Sequence, residues 1–214
     1  APREDFQFAD LPGLRFASVS EVPTPWMCLQ DDLRRAGVDP ASLSRVADGT
    51  MPGNAAALRE GRFDVVQLFQ PFAEQLVADG AGHIWNAAAT RGACSYTTFY
   101  APRSTLRDRE DEILRMTRGM YRTQKWLHSH APGEIAQAVA GFFPETSGAI
   151  LTACIARYLA LGIWGRTPLL PRDGFDRLQA AMLSGGLIGK AASYETCVDT
   201  QFADRVIAED PPPL

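Results

Sequence analysis

The sequence predicts an α/β protein built on a doubly wound, mostly parallel sheet, and three observations carry that reading. Over residues 14–90, short β-favouring runs alternate with helix-like segments bounded by proline and glycine, the pattern of consecutive βα units. Within this region Phe63–Phe69 is almost continuously apolar, as expected of a strand covered on both faces, and Gln70-Pro71 ends it and opens a helix. From residue 104 onward the patterns are nearly all helical. Those helices need either one another as a bundle or a second sheet to cover their apolar faces.

Composition sets the bounds. A chain of 214 residues, 46% hydrophobic and 21% charged, has the make-up of a folded globular protein. Its net charge is -4, and its Lys and Arg are scattered, so the basic stripe of a nucleic-acid-binding surface is absent. No run approaches the length of a membrane span, and Ala1–Asp5 does not resemble a signal peptide. Cys28, Cys94, Cys154 and Cys197 form no CxxC pair, and His83 lies far from His128 and His130. This argues against a zinc site and for small buried thiols.

Taken in order, residues 1–13 read as a lead-in punctuated by Pro2, Pro12 and Gly13. Leu14–Val19 alternates as a short strand, and Thr24 is expected to cap a helix with Pro25 at its first position, closed by Gly37. Leu43–Ala47 is the second strand and Pro52–Glu60 a short helix stopped by Gly61. The strand at Phe63–Phe69 follows, then a helix over Pro71–Asp79 and a further strand at His83–Trp85. Ser95–Ala101 is β-branched and aromatic, a strand signal. From Thr105 to about His130 one helix is expected, with Leu106, Ile113, Met116, Met120 and Leu127 on its apolar face. Further helices are marked by Ile135, Val139 and Phe142, by Leu151, Cys154, Tyr158 and Leu161, and by Phe175, Leu178 and Met182. Pro211-Pro212-Pro213 is expected to be extended.

Ligands of open α/β sheets collect at the carboxyl ends of strands, which places Gln67, Phe69 and Gln70 at the expected site. The Ser20–Pro25 loop enters the same region, with backbone N–H groups at a helix start and Glu21 contributing a negative charge. The reading expects Ser20, Gln67 and Gln70 to face one hollow. The plainer alternative is that the glutamines satisfy nearby backbone.

The order of segments Asp10–Ala17, Ser20–Pro25, Leu33–Pro40, Ala56–Asp64 and Phe69–Ala73, followed by Tyr96–Tyr100, Met120–Trp126 and Leu170–Phe175, resembles a known group. It is similar to the sulfonate/nitrate/thiamine-pyrimidine substrate-binding proteins of ABC transporters, which have the type II periplasmic-binding fold. The resemblance covers nearly all of residues 8–205. It implies two α/β lobes gripping a ligand between them, with the match beginning at the second lobe and the amino-terminal part of the first lobe absent. On that basis 14–95 is the second-lobe domain, 96–103 a crossover strand, 104–205 a helical return to the other lobe, and 206–214 a tail. The implied ligand contacts are Ser20 and Thr24 at the helix start, Gln67 and Gln70 after the central strand and Tyr96 near the hinge, with Glu21 and Phe69 as further contacts. Family members often carry an acid at the position of Gln70; the amide here implies a neutral heterocycle or an anion rather than a cation.

The resemblance further implies a monomer that captures a small molecule, meets a membrane permease, works in the periplasm or cell envelope, binds no nucleic acid and uses no cofactor, metal or catalytic residue. Two other classes share the scaffold. A thiamine-pyrimidine synthase uses clustered cysteines and a histidine with iron, and this sequence lacks such a cluster. A transcription regulator's effector domain has about this length, but a helix-turn-helix is missing here and the carboxyl half is long and helical.

Overall fold

Strand β1 (Arg15–Ala17), rather than Phe63–Phe69, is the centre of the sheet in the computed structural model, which describes residues 5–214. The first four residues of the lead-in lie outside that range. β1 pairs in parallel with β2 (Ser44–Val46) on one side and β3 (Val65–Val66) on the other, giving the order β2-β1-β3. Phe16 stands opposite both Arg45 and Val65. Ser18 donates to the Val46 carbonyl at 3.1 Å, and Gln67 to the Ala17 carbonyl at 2.8 Å, so pairing continues a step past the regular strands.

The three strands are joined by α1 (Thr24–Arg35) and α2 (Met51–Arg59), and α3 (Phe72–Ala78) follows β3. A right-handed crossover from β2 to β3 passes across β1, putting α1 and α2 on opposite faces and a reversal of strand order between β1 and β3. The glycine stops work as the sequence implies. Gly37 and Gly61 adopt φ of 77° and 68°, and the next N–H groups, of Val38 and Arg62, close back on Leu33 and Ala57 at 2.8 Å. The core over this sheet is Leu11, Phe16, Leu29, Leu33, Val38 and Leu43, with Trp26, Val65 and Trp85 packed against it.

Several expectations are corrected. β3 is two residues long and half-exposed, because its ladder can be no longer than the short β1 beside it and it has no second neighbour among the described residues. His83–Trp85 is not a strand; Trp85 instead packs edge-on against Phe6 and Phe8 and donates to the Phe6 carbonyl at 2.8 Å. Ser95–Ala101 is not a strand either, since β-propensity expresses itself only where a partner strand is available; Tyr100 is 95% exposed. Thr24 does not cap α1. It is already the first helical residue, because Pro23 takes up helical angles, and no side-chain cap bond forms.

The helical half comprises α4 (Arg103–Asp108), α5 (Glu110–Leu127), α6 (Pro132–Val139), α7 (Gly148–Ala160), α8 (Arg172–Ser184), α9 (Tyr194–Cys197) and α10 (Gln201–Glu209). The long helix expected from Thr105 breaks at Arg109, whose backbone leaves the helical region. Its buried face is set by Leu114 and Tyr121, with Leu106 and Ile113 alongside, while Met116 is exposed, because α10 lays Phe202 and Val206 against that line. Two helices dock directly on the α/β half: α8 on α1, and α7 on α3. The last helix runs across the boundary expected at residue 205. Beyond it, Arg122 and Lys125 of α5 hold the carbonyls of Pro211, Pro212 and Pro213.

Candidate ligand-binding site

The carboxyl ends of β1 and β3 meet where strand order reverses, the place an open α/β sheet offers a ligand. The expected residues divide into three groups there. Ser20 and Glu21 turn toward α2: the Ser20 hydroxyl donates to the Gly49 carbonyl at 2.7 Å, and Glu21 Oε1 accepts the Met51 N–H at 2.7 Å. That backbone donor, at the start of α2, holds the Glu21 carboxyl below its ordinary range. Both side chains are spent tying one loop to the next.

Gln70 turns the other way. Its Oε1 accepts the Glu74 N–H at 3.0 Å, capping the first turn of α3, and its backbone N–H faces the Tyr158 hydroxyl oxygen of α7. Glu74 itself is buried and paired with Arg157, also on α7. Gln70 therefore anchors the helical half to the sheet. The expectation that Ser20, Gln67 and Gln70 line one hollow is corrected: their hydrogen bonds point to three different elements.

Thr24, Gln67, Phe69 and Tyr96 do come together. Gln67 Nε2 donates to the Pro25 carbonyl at 3.0 Å, which brings the end of β3 onto the first turn of α1. The Thr24 side chain meets the Tyr96 hydroxyl, and the Phe69 and Tyr96 rings stand edge to face, 6.3 Å between centres. Burial raises the Tyr96 phenol, so it stays protonated and able to donate. Gln67 Oε1 is buried and has no donor. An orphan acceptor beside two aromatic rings and a hydroxyl suits a flat, polar molecule with an N–H to offer.

Two further residues belong to this neighbourhood and were not singled out from the sequence. Cys28 lies one helical turn beyond Thr24 on the same face of α1, a spacing that could have found it. Cys94 packs against the same cluster as Cys28, and no sequence signal marks it. Cys28 keeps its proton and donates to the Cys94 sulfur, which, helped by Arg91 and Arg177, draws the Cys94 thiol down to about 7. Among the described residues no group of histidine, cysteine and acid side chains is disposed to hold a metal ion. His128 and His130 hydrogen-bond backbone carbonyls at Trp164 and Trp126, away from this place.

A parallel sheet with reversed strand order and helices on both faces is consistent with part of a type II periplasmic-binding fold. Comparison with known proteins agrees. The model of the NMT1-like family matches residues 5–141, and the chain belongs to that family, substrate-binding proteins of the sulfonate/nitrate/thiamine-pyrimidine type. It is 28% identical over 208 residues to YtlA of Bacillus subtilis (strain 168), a protein whose name offers it as a candidate binding protein; the match takes in 96% of this chain and 62% of YtlA. A solved protein from Bordetella bronchiseptica RB50 shares the fold with a TM-score of 0.68 at 19% identity, covering 95% of this chain and 66% of that one. The chain thus spans less than two thirds of the length of these two relatives. No helix among the described residues is long and apolar enough to cross a membrane.

Proposed function

We propose that this chain serves as the solute-binding component of an ABC importer in the periplasm or cell envelope. It captures a small neutral heterocycle, such as a thiamine-pyrimidine precursor, or a comparable small anion, and presents it to a membrane permease. Family membership supports the binding role. The observation that carries the ligand class is the buried, undonated Oε1 of Gln67 beside the Phe69–Tyr96 edge-to-face pair and Thr24. A ring N–H bonded to that oxygen would satisfy a group whose isolation costs about 1–3 kcal/mol, while the aromatics cover the ring's apolar area. No bond is broken; closure around the solute is the functional event.

Native mass spectrometry for a retained ligand, followed by calorimetric titration with aminopyrimidines, sulfonates, nitrate and flavins, tests this. Saturable binding that falls about tenfold or more in Gln67→Leu, the value of one good hydrogen bond in a desolvated site, is expected. Absence of any retained ligand and of heat from every compound would overturn the proposal.

A further inference from the structure

On the opposite face of α1 from Thr24 and Cys28, a second opening lies against β2, with Trp26 and Gln30 on its floor, two and six residues after Thr24 and so turned away from it. It encloses about 310 Å³, at the low end for small-molecule sites, and joins a neighbouring groove of about 300 Å³ at the shared residues Trp26, Gln30 and Arg45. Arg45 projects from β2 and is fixed in two ways. Its Nε donates to the hydroxyl of the fully buried Ser18 at 2.8 Å, and its guanidinium carbon sits 4.1 Å over the Trp26 ring.

Arg45 has no carboxylate partner among the described residues, although it is half-buried. The Arg residues at 15, 59, 91, 118, 157 and 172 each hold a carboxylate. Burial without a compensating anion pushes its pKa down. Its two terminal nitrogens are left with donors to spend. Arg34 adds a second guanidinium to the neighbouring groove, bound there only to the neutral Gln30 and Ser184 side chains. The carboxylates nearby are engaged with backbone: Asp39 accepts from Ala41 at 3.0 Å and Glu21 from Met51. In a chain of net charge -4, the joined grooves are lined by two guanidiniums, of Arg34 and Arg45, and one carboxylate, of Asp39.

The walls are apolar. Val22 and Pro23 stand on one side, and Leu187, 54% exposed, is held on the other by the turn that ends α8, where its N–H closes on the Met182 carbonyl at 2.9 Å. We infer that this groove is a second binding site, for a small monocarboxylate with an apolar body. The carboxylate would lie bidentate on the free edge of Arg45, and the body against Trp26, Val22 and Leu187. A guanidinium fork matches a carboxylate in plane and spacing, and Arg45, shared by both grooves, offers one such fork at their junction. The inference does not rest on the proposed solute site, which shares none of these contacts.

Calorimetric titration of the chain with benzoate and hexanoate, against benzamide and hexanamide as uncharged counterparts, tests it. Both acids are expected to bind saturably at low ionic strength, and both amides about tenfold or more weaker, as loss of a charge-assisted bidentate contact requires. Arg45→Gln is expected to abolish the difference between acid and amide with an unchanged circular dichroism spectrum. Gln67→Leu is expected to leave benzoate binding untouched. Equal affinity for acid and amide, an undiminished affinity in Arg45→Gln, loss of benzoate binding in Gln67→Leu, or heat that never saturates and marks an adventitious additive only, would each overturn the site. Should Arg45→Gln unfold, Trp26→Leu takes its place: affinity for both acids is expected to fall, and an unchanged value overturns the site.

Discussion

The two halves of the chain are stabilised differently. In the α/β half one apolar cluster runs from Leu11 through Phe16 to Leu43, centred on β1 and continuous across the strands and α1. In the helical half the apolar contacts fall into separate small groups, one between α5 and α10 and another between α6 and α7. Exposed ion pairs such as Arg118–Glu209, Lys125–Asp210 and Arg205–Glu110 add ties between α5 and α10, but solvent screens such pairs and each contributes little. The sheet, three strands wide among the described residues, is the body onto which the helices dock. The helical half docks on that body through α7, against α3, and α8, against α1.

The largest test of this difference is deletion of a ring at its centre. Phe16→Ala, at a site 2% exposed, is expected to lower unfolding free energy by about 3–5 kcal/mol and to lose protection in every α/β element. Leu151→Ala, between α6 and α7, is expected to cost about 2–5 kcal/mol but to speed amide exchange in those two helices while β1 stays protected. If the two variants accelerate exchange over the same elements, the halves are one cooperative unit and the comparison fails.

The tie between the halves is the next test. Glu74 is buried and Arg157 is 36% exposed on its side chain, so Glu74→Gln is expected to cost about 2 kcal/mol, below the 3–5 of a fully buried pair. It should detach α7 from α3 before either half melts, visible as a separate low-denaturant step.

A smaller effect distinguishes the sheet's own edge. Arg15 holds the Asp64 carboxyl down to about 2, through three contacts of 2.7 to 2.9 Å that bind β1 to the start of β3. Because the folded value is depressed, this stabilisation is present above the ordinary carboxylate range and disappears as pH falls from about 4 to about 2. The pair is exposed and screened by solvent, so the change is expected to be small, read as a shallower acid limb of melting temperature against pH in Asp64→Asn.

The smallest effect is read in reactivity rather than in stability. Cys94 is expected to react with iodoacetamide with a midpoint near pH 7, and Cys28→Ala to raise that midpoint by removing the donor to its thiolate. An unaltered midpoint in the variant would show that the two sulfurs do not interact.

Much of the first half was legible because its signals are local. Gly37 and Gly61 stop helices by adopting positive φ, and Pro25 and Pro52 sit in first turns, so α1 and α2 fall within a residue or two of their expected ends. The strands were overestimated, since length depends on the neighbour and β1 is short. His83–Trp85 and Ser95–Ala101 failed for the same reason. α10 was missed although Phe202 and Val206, one turn apart, mark a face. Thr24, Gln67, Phe69 and Tyr96 lie together, whereas Ser20, Glu21 and Gln70 are consumed by helix starts and backbone that periodicity cannot reveal.

By itself, the order of residues determined the class of fold and the family, because βα alternation and turn chemistry act over a few neighbours. Only the tertiary structure decided which polar groups remain unsatisfied. Whether Gln67 keeps a free oxygen, Cys94 meets Cys28 or Arg45 lacks a carboxylate depends on groups 20 to 70 positions away, brought near by packing that no local pattern encodes.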